Sequence, residues 1–336
     1  MIRRFAKAVV RRGRAAALNV GANVARYTHN DLDRPELSWL WSKGVARLCD
    51  YSGPPGYWAR PTESIQPTDL IAEAYSDACN VVWVRLGTRS RDGEQVDLDA
   101  FARQALPRIR RPFVLLTTDG DATVPSELCP DTVTRLLSSA HLRAWYTQNC
   151  DVRRHPVIRP FPIGLSLHNS RIFGSPRKSA EELRLLAFAA RPAHERPLSV
   201  YSDISVSLAS EERRQADGLF RDVSHVRSQR LRVSQHTTWQ RYSQSRFVLS
   251  LKGNGIDAHR TWEALYLGGI VITLRSTLDP LYEGLPVVLA DRLEDIADPR
   301  NLVRWSEQYL PLTVREEVWG KLDARRWMDK LRQHLG

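Results

Sequence analysis

A chain of 336 residues, 42% of them hydrophobic, is roughly two domains long and can bury sizeable cores, which excludes intrinsic disorder as its main state. Lys and Arg number 49 against 38 Asp and Glu, a formal charge of +11, yet seven of those charges fall in residues 1–30, where there is no acid. The other 306 residues carry only about +4, so there is no chain-wide basic field and no nucleic-acid partner is expected.

In chain order the basic start comes first, with Arg3, Arg4, Lys7, Arg11, Arg12, Arg14 and Arg26. Met1 to Ala25 mixes this charge with Phe5, Val9, Val10, Leu18 and Val20, a basic amphipathic stretch suited to lying on anionic lipid. A solvated, frayed tail fits the same composition, and so does a transit peptide. No run approaches the roughly 18–20 apolar residues of a membrane span, and no compact apolar core precedes a small-residue cleavage site. A cytoplasmic protein is therefore expected, the basic start adding the option of a peripheral seat at the inner face of the membrane. Cys49, Cys79, Cys129 and Cys150 form no C-x-x-C pair and are expected as reduced core thiols.

Short apolar runs bounded by turn residues follow at 79–86 (CNVVWVRL), 113–117 (FVLLT) and 157–161 (VIRPF), separated by helix-length segments such as Asp131 to His141. After the helical pattern SAEELRLLAFAA (179–190), Pro192 and Pro197 interrupt the periodicity, which places a domain boundary there. The second half repeats the alternation. LSVYS (198–202), helices near 209–220 and 234–245, FVLSL (247–251), a helix from about 258 and IVITL (270–274) predict a parallel, doubly wound sheet with a crevice at its strand C-termini. Val318, Leu322, Trp327, Met328, Leu331 and Leu335 recur at helical spacing and predict a C-terminal packing helix. The expected organisation is thus a basic segment over 1–30, an α/β domain over 31–192, a second over 193–315 and the packing helix over 316–336.

The stretch that carries chemistry is 247–274, an apolar strand, a loop holding Gly253 and Gly255, a helix, two glycines and a second strand. Glycine at a strand end lets backbone N–H groups approach a ligand, and the helix N-terminus that follows favours an anion such as a diphosphate. Asp257 is the expected N-cap of that helix. His259, Arg260 and Glu263 share one of its faces, a cation for phosphate and, a turn deeper, a carboxylate that can accept from both ribose hydroxyls. A surface Arg260–Glu263 pair on an ordinary helix would have the same spacing.

GNGIDAHRTWEALYLGGIVIT followed by STLDPLYEGLPVVLADRLEDI resembles the C-terminal motif of exostosin-like glycosyltransferases of family 47. EALYLGGIVI is also similar to the E-A-x-x-x-G-x-P-V-I element of two-domain nucleotide-sugar transferases, without its Pro, and the resemblance gives Glu263 the ribose. Gly255 stands near the position where retaining relatives carry a further Glu, so inversion is implied. FVLLTTDGDATVP (113–125), WYTQNCDVRRHP (145–156) and FPIGLSLH (161–168) resemble the same family more loosely, and residues 1–75 lie outside the likeness.

The resemblance implies an α/β protein of two Rossmann-like domains facing across a cleft (a GT-B type fold), the nucleotide sugar on the C-terminal domain and the acceptor on the N-terminal one. The implied activity is transfer from a nucleotide sugar, a UDP-sugar first, to a glycan or lipid-linked saccharide. A GDP-sugar enzyme of fucosyltransferase type is the alternative, although this chain reads T-W-E where that group has T-E-K, and a non-catalytic nucleotide-sugar or glycan binder is another. Lys252, Gly253, Asn254, Gly255, Asp257, His259, Arg260, Glu263 and Ser205 are then the expected donor-binding residues. Asp119 and Asp121, at a strand's C-terminal end, are the expected base, and His168, after the P-I-G-L turn, the third catalytic candidate. The D-x-D spacing also suits a divalent metal, but a diphosphate served by Arg and helix amides needs none, so no cofactor is expected. TDGD as a plain turn, Asn149 and His155 as loop fixers, and Ser202 and Asp203 as a strand-ending turn are the structural alternatives.

Overall fold

The computed structural model describes residues 38–54, 56–60, 62, 68–87, 96–168 and 175–336; the basic stretch Met1 to Ala25 lies outside the described residues. The first sheet has four parallel strands, β1 (Asn80–Gly87), β2 (Phe113–Gly120), β3 (Leu142–Thr147) and β4 (Ile158–Pro160), in that order. Their runs of Val, Leu, Trp and Phe are buried on both faces, as parallel strands are. Because the order never reverses, right-handed crossovers put every connection on one face. That face carries α1 (Thr68–Ala74), α2 (Val96–Ala100) and α3 (Pro130–Leu137), gathered around Phe101–Ala105.

A long helix, α4 (Pro176–Ala189), leads to the second sheet, capped by Ser175, whose hydroxyl accepts from the Lys178 N–H. The five parallel strands of that sheet, β5 (Val200–Ser202), β6 (Val226–Ser228), β7 (Phe247–Leu249), β8 (Ile270–Leu274) and β9 (Val287–Ala290), lie in the order β6-β5-β7-β8-β9. The chain moves outward from β5 to β6 and then returns past β5 to β7, so the switch point falls between β5 and β7. The reversal splits the helices: α5 (Glu211–Leu219) covers one face, α6 (Gln235–Gln244) and α7 (His259–Tyr266) the other. Strand residues divide accordingly. Phe247, Leu249, Ile270 and Ile272 join a core with Ala216 of α5, whereas Val248 and Val271 join one with Trp239, Tyr242 and Trp262. The latter core runs on unbroken into the first domain.

Helices α8 (Glu294–Ala297) and α9 (Pro299–Tyr309) complete the second domain, Leu302 and Trp305 joining the core on the α5 side. Two details differ from expectation. Helix α4, placed at the end of the first domain by its position before Pro192, packs on α6 of the second. The single C-terminal helix is two, α10 (Arg315–Leu322) against α7 and α11 (Ala324–Arg332) against β1. Asp323 makes the break: its carboxylate accepts from the Arg325 N–H at 2.9 Å, and its backbone bridges Trp39. Leu40 N–H donates to Leu322 O at 2.8 Å and Ala324 N–H to Ser38 O at 2.7 Å, lacing the start of the described chain to its end. Phe161 and Trp327 meet edge to face with ring centres 5.4 Å apart, so α11 closes the face of the first sheet that its own crossovers leave bare.

One buried side chain ties three helices at the rim away from the strand C-termini. Arg196 donates from Nε to Arg191 O (2.8 Å) just past α4, from Nη1 to Ser245 O (3.1 Å) at the end of α6, and from Nη2 to Leu267 O (2.8 Å) at the end of α7. Gly268, at φ +75°, sits where a Cβ would come within 3.1 Å of Nη2.

Candidate functional site

The C-terminal ends of both sheets carry charged side chains that the fold brings face to face. On the second domain, Asp203 follows β5 and meets α7 across the switch point: its Oδ1 lies 3.0 Å from Arg260 Nε, and Tyr242 Oη donates to its Oδ2 at 3.0 Å. Glu263, a turn beyond, is buried beneath them. Burial pushes its carboxyl up to about 7, against the opposing pull of the Trp239 indole and the Ser166 amide. Arg213 reaches in from the first turn of α5, donating to Ser207 O at 3.2 Å and Leu251 O at 3.0 Å. Ser202 Oγ, Arg213 Nε, Arg260 Nη1 and Glu263 Oε1 are buried here with no hydrogen-bond partner. Buried polar atoms are nearly always paired, each exception costing about 1–3 kcal/mol, so four at one switch point mark a place built for a polar ligand.

The neighbouring loop does other work than expected. Asp257 does not cap α7; Ala258 occupies that position. The Asp257 carboxylate instead accepts from the Ile163 N–H of the first domain (2.8 Å), from Ala258 N–H (2.8 Å) and from the Trp262 indole (3.0 Å), and burial pushes it up to about 6. Its own N–H donates to Asn149 Oδ1 at 3.0 Å, and Gly253 N–H turns back to Gly255 O at 3.0 Å. Asn254 donates to Asp121 at 3.3 Å and Thr277 to Cys150 O at 2.6 Å. Asn254, Gly255 and Asp257 are thus a seam between the domains rather than a phosphate cradle. A Cβ on Gly255 would sit 2.5 Å from the Asn149 side-chain amide, so Gly255→Ala should push Asn149 out of the seam and cost about 1–3 kcal/mol. Denaturant unfolding checks this, and an unchanged midpoint would show that the seam yields without cost.

Two other expected donor residues point elsewhere. Ser205 Oγ is committed to Asp217, and the exposed Lys252 ammonium lies 3.9 Å from Glu212, beside a 420 Å³ cavity lined also by Arg292 and Glu294.

On the first domain, Asp119, next to last in β2, stands at φ +64° with its carboxylate buried. Lys43 Nζ (3.0 Å) and Arg85 Nε (3.1 Å) flank one oxygen, and Thr62 Oγ1 donates to the other at 2.7 Å. Burial alone would raise this carboxyl, but Lys43 and Arg85, with His168, hold it below the usual range. A carboxylate so stabilised is a poor base, so Asp119 is placed to hold two cations rather than to take a proton. Asp121 is exposed at the cleft. His168 packs its ring 5.3 Å from that of His259, and burial together with His259 pushes its imidazole down to about 3. His259 Nδ1 meets Gly164 O at 2.7 Å, a carbonyl that only accepts, so Nδ1 carries the proton. His155 is the loop fixer, its Nδ1 accepting from Val157 and Ile158 N–H at 3.1 and 3.0 Å. Among the described residues no three His, Cys, Asp or Glu side chains converge as a metal site.

Asp121, His168 and His259 therefore meet at the domain junction, and Ser202, Asp203, Arg260 and Glu263 gather at the switch point. Arg213, Trp239 and Tyr242 were missed. Trp239 and Tyr242, three apart on one face of α6, read as an ordinary core stripe, and nothing in the sequence near Arg213 ties it to β5.

No family model and no curated protein matches the chain. Among solved structures it is similar to an apo structure of OtsA (11% identity, 86% of this chain, 77% of that one, TM-score 0.44). It is also similar to the α,α-trehalose-phosphate synthase (UDP-forming) of Burkholderia vietnamiensis (11%, 80% and 76%, TM-score 0.40). A third likeness is to a structure of trehalose-6-phosphate from E. coli bound with UDP-2-fluoro glucose (11%, 79% and 77%, TM-score 0.42). Likeness of this degree carries no argument; the α/β fold of two parallel sheets rests on the chain's own strands.

Proposed function

We propose that this protein is a nucleotide-sugar-dependent glycosyltransferase of the two-domain, GT-B kind, exostosin-like, which transfers a sugar with inversion. The observation that carries the reading is the cluster of unpartnered buried atoms at the β5/β7 switch point, where doubly wound sheets bind nucleotides. Arg260, with the first-turn amides of α7, meets the diphosphate, and Glu263 accepts from the ribose hydroxyls. The diphosphate's charge is met without a divalent metal. An acceptor hydroxyl entering from the first domain attacks the anomeric carbon opposite the bond to the diphosphate. Its proton passes to Asp121, and the bonding pair leaves on the phosphate oxygen beside Arg260.

A UDP-sugar is the proposed donor and a glycan or lipid-linked saccharide the acceptor. In this reading the protein works in the cytoplasm, its basic start resting on the anionic inner face of a membrane. A thermal-shift series with UDP, GDP and their sugars tests the donor: stabilisation by UDP supports the reading, GDP alone transfers it to the fucosyltransferase type, and neither refutes it. Arg260→Ala should cut kcat by about 10²–10³ while changing the Kd for UDP far less, because leaving-group charge grows toward the transition state. Wild-type turnover in this variant would remove Arg260 from the mechanism.

A further inference from the structure

Leu185 and Phe188, three residues apart on α4, are each 55% exposed, and Val314, just ahead of α10, is 44% exposed. They adjoin an aromatic cluster in which Phe188 meets Trp319 at 5.5 Å, Trp319 stacks on Tyr266 at 4.7 Å, and Trp39 lies 5.3 Å from Trp319. Arginines frame this face. Arg315 sits 4.9 Å from the Phe188 ring centre and 5.6 Å from that of Trp319, and Arg184 sits 5.8 Å from Phe188. Arg191 and Lys178 are exposed nearby, against Glu181, Glu316 and Glu317, which leaves these groups, with Arg184 and Arg315, one positive charge in excess.

Trp39, part of this cluster, is the second of the described residues, and the seven basic residues of 1–30 precede it in the sequence. Tyr266 is the last residue of α7, whose first residue, His259, faces the cleft; the face thus lies at the far end of that helix.

From this juxtaposition we infer that the α4–α10 face is a docking surface for an anionic lipid bilayer: Leu185, Phe188 and Val314 enter the headgroup layer while Arg184, Arg191 and Arg315 meet lipid phosphates. Isolated exposed apolar side chains are ordinary, but an apolar–aromatic patch rimmed by arginine, in a chain whose first thirty residues add seven positive charges, matches an interface that is apolar below and anionic above. Docking there leaves the cleft open to solvent. The inference stands apart from the transferase reading, since the face shares no residue with the switch-point cluster.

The test is co-sedimentation of the full-length protein with vesicles of phosphatidylcholine containing about one third phosphatidylglycerol, and with phosphatidylcholine alone. Wild type should pellet with the anionic vesicles only. The double variant Leu185→Ser, Phe188→Ser should bind them at least about tenfold more weakly, while its melting temperature and UDP-induced shift stay those of wild type. Arg184→Glu, which keeps the apolar pair, should weaken binding as well. Undiminished binding by both variants overturns the inference, as does equal wild-type binding to neutral vesicles. Concentration-dependent dimerisation abolished by the double variant, without vesicle binding, also overturns it and makes the face a contact between two copies. A missing UDP shift beside intact vesicle binding would fault the transferase reading alone.

Discussion

Glu263→Gln is expected to melt at a higher temperature than wild type at pH 8 and yet bind UDP about tenfold to a hundredfold more weakly, the loss of hydrogen bonds to a charged acceptor. The two effects have one cause. Burial pushes the Glu263 carboxyl up to about 7 in the folded protein from an ordinary 4.5, so the folded state prefers the protonated form. Stability from that preference is complete below the unfolded value and is lost as pH rises through about 7, about 3 kcal/mol in all for a fully buried group. The neutral amide never incurs that loss. A ribose donating two hydroxyls, by contrast, needs the ionised carboxylate, so UDP binding by wild type should strengthen as pH rises through 7 and that of the variant should stay flat. Calorimetric titrations and melting curves from pH 5 to 8 decide the matter. Parallel pH profiles for the two proteins would place Glu263 outside the donor site.

Arg196→Met should be the most destabilising single change away from the cleft. Arg196 serves the backbone at the C-terminal ends of α4, α6 and α7 together, where carbonyls have no intrahelical partner and helix dipoles favour a cation. Methionine fills the volume but leaves one buried and two half-buried carbonyls without their donor, the buried one alone at about 1–3 kcal/mol, a loss of roughly 3 kcal/mol against a total of about 5–15. Burial pushes the Arg196 guanidinium down only to about 10, so the cation persists through neutral pH. Arg196→Lys should rescue little, because one ammonium cannot span three carbonyls that a planar guanidinium reaches at once. Denaturant midpoints measure both variants, and a methionine variant within about 1 kcal/mol of wild type would show that water or side-chain shifts replace the lost bonds.

Most strands were legible because parallel strands buried on both faces write themselves as apolar runs, as in VVWV, FVLL and IVIT. Strands β3 (Leu142–Thr147) and β9 (Val287–Ala290) were passed over, and so was β6, since in Val226–Ser228 only Val226 is buried and three residues hold no period. The broken C-terminal helix was missed for a related reason. Val318 with Leu322 and Met328 with Leu331 each keep helical spacing on their own side of Asp323, and the contact with Trp39 that ends α10 is set by residues nearly 300 positions away. At the site, helical spacing did place His259, Arg260 and Glu263 on the cleft-facing helix, because three- and four-residue steps are local geometry. The glycine loop misled. A glycine needed for close approach looks the same whether the approaching group is a phosphate or, as at Gly255, the Asn149 amide of another domain.

The position of α11 bears on how the chain is made. β1 and its neighbours leave the ribosome in order, with their crossover helices all on one side, but the residues that close the other side follow only after the whole second sheet. Until α11 emerges, that apolar surface lacks its partner and is open to wrong contacts. A ribosome stalled before Ala324 has emerged would hold a complete first sheet that is not yet a folded domain.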